Sequence, residues 1–138
     1  MKKIIYFLIL ISCISCRNKF EEKYVIEFDS KTGNKLREGM LINGKKNGIW
    51  LIYETEKITE VAQYQNDTLH GIYIGLSSDD GVVIYNGSYV ENEKHGNWYY
   101  HNSVGMLGSI RKYERDSVIE FAKVDIENNK RYLMYLKE

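Results

Sequence analysis

The sequence predicts an all-β chain, an elongated antiparallel meander of stacked hairpins preceded by a signal-peptide segment. Three observations predict it. The chain of 138 residues has no proline but eleven glycines, as strands joined by glycine turns require. Twelve tyrosines suit a pleated, half-wet surface, where a ring packs while its hydroxyl reaches water. Above all, one frame of small and aromatic residues recurs three times at intervals of about two dozen residues.

The N-terminal element, residues 1–12, reads as an export signal. Lys2 and Lys3 give a positive start, and Ile4 to Ile11 form an apolar run. That run is short of the roughly 20 apolar residues needed to span a bilayer. Leu10-Ile11-Ser12-Cys13 resembles the bacterial lipobox, so Cys13 is the expected lipid-attachment residue, with Cys16 after Ser15 as the alternative. Residues 13–27 are then the acylated cysteine and a charged linker, Arg17 to Lys23 being apolar-poor apart from Phe20. The expected address is the bacterial cell envelope, with the outer membrane as its destination and covalent lipid (palmitate among the acyl chains) as the anchor. A cysteine pair for redox or metal chemistry is disfavoured, because no second pair exists and His70, His95 and His101 lie far away.

Residues 28–122 hold the repeats. The segment Gly39 to Trp50 aligns without gaps on Ala62 to Tyr73 and on Gly87 to Trp98. Each copy carries a small residue, a large apolar one two later, an Asn-Gly, His-Gly or equivalent step, and an aromatic two after that glycine. Gly48, Gly71 and Gly96 are the expected repeat turns, since glycine adopts positive φ without steric cost. A looser turn recurs between copies, at Thr32 to Leu36, Thr55 to Ile58, Asp79 to Val82 and Val104 to Leu107.

Trp50, Tyr73 and Trp98 fall on one strand face and are expected to form a ladder. Gly39, Ala62 and Gly87, on the face of Leu41, Tyr64 and Tyr89, leave space for neighbouring rings. A ring burying about 150 Å² at ~25 cal/mol per Å² contributes roughly 3–4 kcal/mol before entropy. Gly75 stands where the other copies have Ile52 and Tyr100, so thinner packing is expected there. A fourth copy starts at Arg111-Lys112-Tyr113 and decays at Glu120 and Ala122, as a terminal unit does. Residues 123–138 are the C-terminal cap, either a closing strand or a short helix.

At these residues the chain resembles the MORN family, in the bacterial variant found on lipoproteins and antitoxin-like repeat proteins. The resemblance covers about Phe28 to Ile119 and implies an elongated antiparallel sheet of successive hairpins. It carries little mechanism.

Composition narrows the function. Without Lys2 and Lys3, seventeen basic residues stand against nineteen acidic, a net of −2, which gives no electrostatic footprint for nucleic acid. The histidine place of the frame is Asn47 in the first copy, His70 and His95 in the others, so a catalytic row is not expected. Asp79-Asp80-Gly81 lacks EF-hand spacing. No cofactor, metal or catalytic residue is therefore expected, and the chain is read as a non-enzyme. The leading expectation is a membrane-anchored binding or scaffold module contacting a protein or glycan. Its candidate binding or stacking aromatics are Trp50, Tyr64, Tyr73, Tyr89, Trp98 and Tyr100. An antitoxin or immunity protein neutralising a toxin is the alternative, and a small hydrolase using His95 ranks last.

Overall fold

The computed structural model describes residues 20–125 and 130–134. Cys13, Cys16 and the expected signal segment lie outside them. The described chain is all strand: β1 (Glu22–Phe28), β2 (Lys35–Ile42), β3 (Lys45–Glu54), β4 (Lys57–Gln65), β5 (Thr68–Leu76), β6 (Val83–Val90), β7 (Glu93–His101), β8 (Leu107–Glu114), β9 (Ser117–Asp125) and β10 (Lys130–Met134). They form one ten-stranded sheet in sequence order, each strand antiparallel to the next. Strand β1 corrects the expected linker: Tyr24, Val25 and Ile26 pair with Met40, Gly39 and Glu38, so the sheet starts inside residues 13–27. Strands β9 and β10 extend it past residue 122, in place of a helical cap.

The tight reversals lie at Asn43-Gly44, Thr55-Glu56, Asn66-Asp67, Glu91-Asn92 and Arg115-Asp116, where both central residues have positive φ. Two-residue turns of this hand match the right-handed twist of the flanking strands. Gly48, Gly71 and Gly96 have the expected positive φ, at 71°, 108° and 69°, but they do not reverse the chain. They lie within β3, β5 and β7, beside register shifts at Gly39/Met40, Ala62/Tyr64 and Asn86/Ser88. These glycines make β-bulges, which absorb extra residues and increase local twist.

Successive turns are tied together by an Asx clasp. Asp67 donates its backbone N–H to the Lys46 carbonyl at 3.0 Å, and its Oδ1 accepts from the Lys46 N–H at 2.8 Å. Asn92 does the same to Leu69 at 3.0 and 2.8 Å, and Asp116 to Lys94 at 3.2 and 2.7 Å. Asn43 repeats the clasp on Glu21. A short acceptor that tolerates left-handed backbone is needed at each place. Asp67→Ala is expected to cost about 1–2 kcal/mol in urea unfolding, through a lost acceptor and αL strain, and Asp67→Asn under about 0.5 kcal/mol.

With one layer, the sheet buries its core on a face rather than between sheets. On the ring face, cross-strand partners run Gly39, Trp50, Ala62, Tyr73, Gly87 in one row. Arg37, Ile52, Glu60, Gly75, Tyr85, Tyr100 form the next. In the first row small positions alternate with rings, so Trp50 lies down over Gly39. The reverse face carries the row Ile26, Glu38, Leu51, Val61, Ile74, Asn86, Tyr99, Ile110 and Ala122, with Ile49 and Ile72 exposed beside it.

Candidate functional site

The ring face is the candidate site. Trp50 and Trp98 are each only 1% exposed, which assigns both indoles to stacking rather than to surface contact. The Trp50 ring lies over Gly39 and the Trp98 ring over Gly87, each so close that a Cβ on the glycine would penetrate it. Both indole N–H groups are satisfied inside the sheet, by the carbonyl of Met40 at 3.2 Å and that of Ser88 at 3.1 Å. A fixed N–H partner sets each ring's tilt.

The expected single ladder is two groups of rings. Trp50 meets Tyr64 edge-on at 6.3 Å. Trp98 is the hub of the larger group, meeting Tyr73 at 6.1 Å, Tyr85 at 6.3 Å, Tyr89 at 5.2 Å and Tyr113 at 6.1 Å. Among the described residues no ring contact joins the groups. The cause is local: both indoles lean onto the preceding strand, Trp98 over Gly87 and so toward Tyr73, Trp50 over Gly39 and so away from it, and Ala62 keeps a methyl between Trp50 and Tyr73.

Tyr85, absent from the candidate aromatics, stacks on Tyr73 at 6.2 Å and 8° and covers Gly75. Gly75 is consequently buried, and the thin packing expected there is filled by a ring from the adjacent strand. Only the cross-strand register places Tyr85 opposite Gly75; the twelve-residue frame does not contain it. Tyr100 joins its hydroxyl to that of Tyr113 at 3.0 Å.

Three cations roof the rings. Lys46 Nζ stands 4.9 Å from the centres of Trp50 and Tyr64, and Lys94 Nζ 4.4 Å from Trp98 and 5.2 Å from Tyr113. Arg111 lies 4.6 Å over Tyr100. Such contacts contribute roughly 0.5–2 kcal/mol, more as the cation is desolvated. Burial, then the charge of Arg37, holds the Lys46 ammonium below its ordinary range.

The phenols respond in the opposite sense. Burial pushes Tyr64, Tyr85 and Tyr89 up, and burial with Glu60 pushes Tyr73 up. Tyr100 rises through burial and its bond to Tyr113. Tyr113 itself goes down, because burial is outweighed by Tyr100, Arg111 and Lys94. Outside the ring rows, Tyr53 is pushed up to about 12 by its hydrogen bond to Glu38, whose carboxyl is lowered by the same bond.

A phenol with a raised folded pKa contributes stability that is intact below its ordinary value of 10.0 and is lost as pH climbs through the folded value. The urea midpoint is therefore expected to hold steady to about pH 9 and fall between about pH 10 and 12. The share of tyrosinate absorbance that belongs to the raised phenols should rise together with unfolding, while Tyr113 ionises earlier. A free titration near pH 10 with no loss of stability would contradict the burial of these hydroxyls.

The histidines do not converge. His70 in β5 and His95 in β7 are separated by β6, and His101 ends β7 with its Nδ1 enclosed and unpartnered. Among the described residues no group of three His, Cys, Asp or Glu is placed to hold a metal ion.

No family model matches the chain, and no curated protein matches it. Among solved structures it is similar to a mutant of S. aureus TarM, crystallised with fondaparinux, alpha-GlcNAc-glycerol and UDP, at 12% identity and a TM-score of 0.36. That likeness covers 84% of this chain and 21% of the other, so the chain spans about a fifth of that protein's length. A likeness at this level fixes neither fold nor function.

Proposed function

We propose that this chain is a lipid-tethered, non-enzymatic binding or scaffold module of the bacterial cell envelope, its ring face contacting a protein or glycan. The observation that carries the reading is the set of half-buried tyrosines, Tyr64, Tyr73, Tyr89 and Tyr100, all on one face of the sheet. Their rings are held by neighbours, so a partner would gain aromatic area without ordering them afresh. Trp50 and Trp98 hold the face in shape. The tether follows from Lys2, Lys3, Ile4 to Ile11 and Cys13, and the repeat frame's resemblance to MORN repeats agrees with an extended contact surface.

Two measurements on the full chain in cells test the reading. Labelling with a palmitate analogue should mark the protein and be lost in Cys13→Ala but retained in Cys16→Ala. A photocrosslinker at Tyr64 or Tyr89 should capture a defined partner that the same crosslinker at Ile72, on the reverse face, does not. Equal capture from both faces, or no label on either cysteine, would overturn the corresponding half.

A further inference from the structure

The first and third repeat copies both set an edge-on tyrosine and a lysine against their tryptophan, while the third copy alone adds Tyr73, Tyr85 and Tyr89. Around Trp98 stand Tyr113, edge-on at 6.1 Å, and Lys94 over the ring. Around Trp50 stand Tyr64, edge-on at 6.3 Å, and Lys46 over the ring. The next cross-strand pair then differs. It is Tyr85 with Tyr100 beside Trp98, their ring centres 6.4 Å apart, but Arg37 with Ile52 beside Trp50. With two rings replaced by a guanidinium and a branched aliphatic chain, a cavity of about 330 Å³ remains, lined by Arg37, Lys46, Trp50, Ile52 and Tyr64 together with Leu36 and Tyr53. Its size is at the lower end of small-molecule sites.

The chemistry of the lining is one-sided. The walls are aromatic and aliphatic, and both charged side chains are cations. Arg37 gives its Nε to Glu27 at 2.6 Å, which uses one of the five N–H donors of a guanidinium. Lys46 makes no ion pair among the described residues and feels the like charge of Arg37 together with the opposite charges of Glu27 and Asp67. An anion placed between them would meet two cationic side chains, the Lys46 ammonium and the guanidinium donors that Glu27 leaves free.

We infer that this cavity binds a small ring carboxylate, the ring packing on Trp50, Ile52 and Tyr64 and the carboxylate meeting Arg37 and Lys46. The shared chemistry is a flat-faced ring with one negative group, supplied by an aromatic acid or by a uronic acid sugar. The inference rests on the sheet alone. It holds whether or not Cys13 carries lipid, so its failure is distinct from failure of the tether.

The two indole N–H resonances make a direct test, because the chain has two tryptophans. In the full-length chain with isotope-labelled tryptophan, 4-hydroxybenzoate, glucuronate and neutral benzyl alcohol are titrated separately. Tyr100→Phe, which touches the Trp98 group, assigns the signals. At least one acid should move the Trp50 signal and leave that of Trp98, with saturation on the order of millimolar, and benzyl alcohol should bind at least about tenfold more weakly. Whichever acid is tighter identifies the source as aromatic or sugar.

Arg37→Tyr combined with Ile52→Tyr puts the third copy's two rings into the cavity and should abolish the shift. Arg37→Gln, which keeps the cavity, should weaken binding about tenfold, and it carries the test if the double variant does not fold. No shift with either acid, equal movement of both indoles, or unchanged binding by Arg37→Gln would overturn the inference.

Discussion

Trp98→Ala is expected to lower the free energy of unfolding by about 3–5 kcal/mol, the range for emptying a buried large aromatic site. Trp98 is 1% exposed and touches four tyrosines spread over β5, β6 and β8, besides the Lys94 roof, so its removal takes packing from four strands at once. Trp50→Ala empties an equally buried site but loses a single ring contact, to Tyr64. Its cost should fall at the lower end of the same range.

The two losses should also differ in kind. In a stack of hairpins each unit is held mainly by its neighbours. Loss of the Trp98 hub should uncouple the later strands from the earlier ones. In Trp98→Ala the remaining tryptophan, Trp50, reports only on the early units. Its fluorescence transition in urea should then occur at higher urea than the circular dichroism transition, a departure from two-state behaviour. Coincident transitions with a loss below about 1 kcal/mol would show that the ring group does not hold the sheet together.

Much of this arrangement is legible in the chain because the frame is periodic. A small residue eleven positions before an aromatic is uninformative alone. Repeated at Gly39, Ala62 and Gly87 before Trp50, Tyr73 and Trp98, it fixes which strands pair and which face carries the rings. The turn placement is less legible, since Asn43-Gly44 and Asn47-Gly48 offer the same dipeptide four residues apart. In the other copies the glycine marks the bulge, while the reversal falls on Asn66-Asp67 and Glu91-Asn92, which contain no glycine. Asp and Asn tolerate left-handed backbone there, and the clasp to the preceding turn favours them.

The contents of the ring face are legible only in part. Tyr85 lies outside the repeated twelve residues, and its partner Gly75 reads as a defect until the register sets one on the other. Lys46 and Lys94 read as ordinary solvated charges, because nothing local shows that their stems cross a tryptophan. The cavity at Arg37 and Ile52 is visible only when two copies are superposed in the fold. Strand β1 was hidden by composition: its charged residues resemble a linker, and they are tolerated because an edge strand is half in water.

Gly87→Ala is the second large effect, and it acts by adding a methyl group. The new Cβ would occupy the Trp98 ring at its fused edge, where no flexible side-chain end can give way, because the indole is pinned between Tyr89 and Tyr113 and by its N–H bond to Ser88. Overpacking of this kind costs about 1–3 kcal/mol, and the tethered ring puts this site at the upper end. Gly87 carries no positive φ, so the penalty is one of contact and not of backbone strain. That distinction yields a coupling test. In a Trp98→Phe background the smaller ring leaves room for the methyl, and Gly87→Ala should cost at least about 1 kcal/mol less than in the parent chain. If the two costs add without coupling, the glycine is not there to seat the indole, and the alternation of small residues and rings would lose its physical basis.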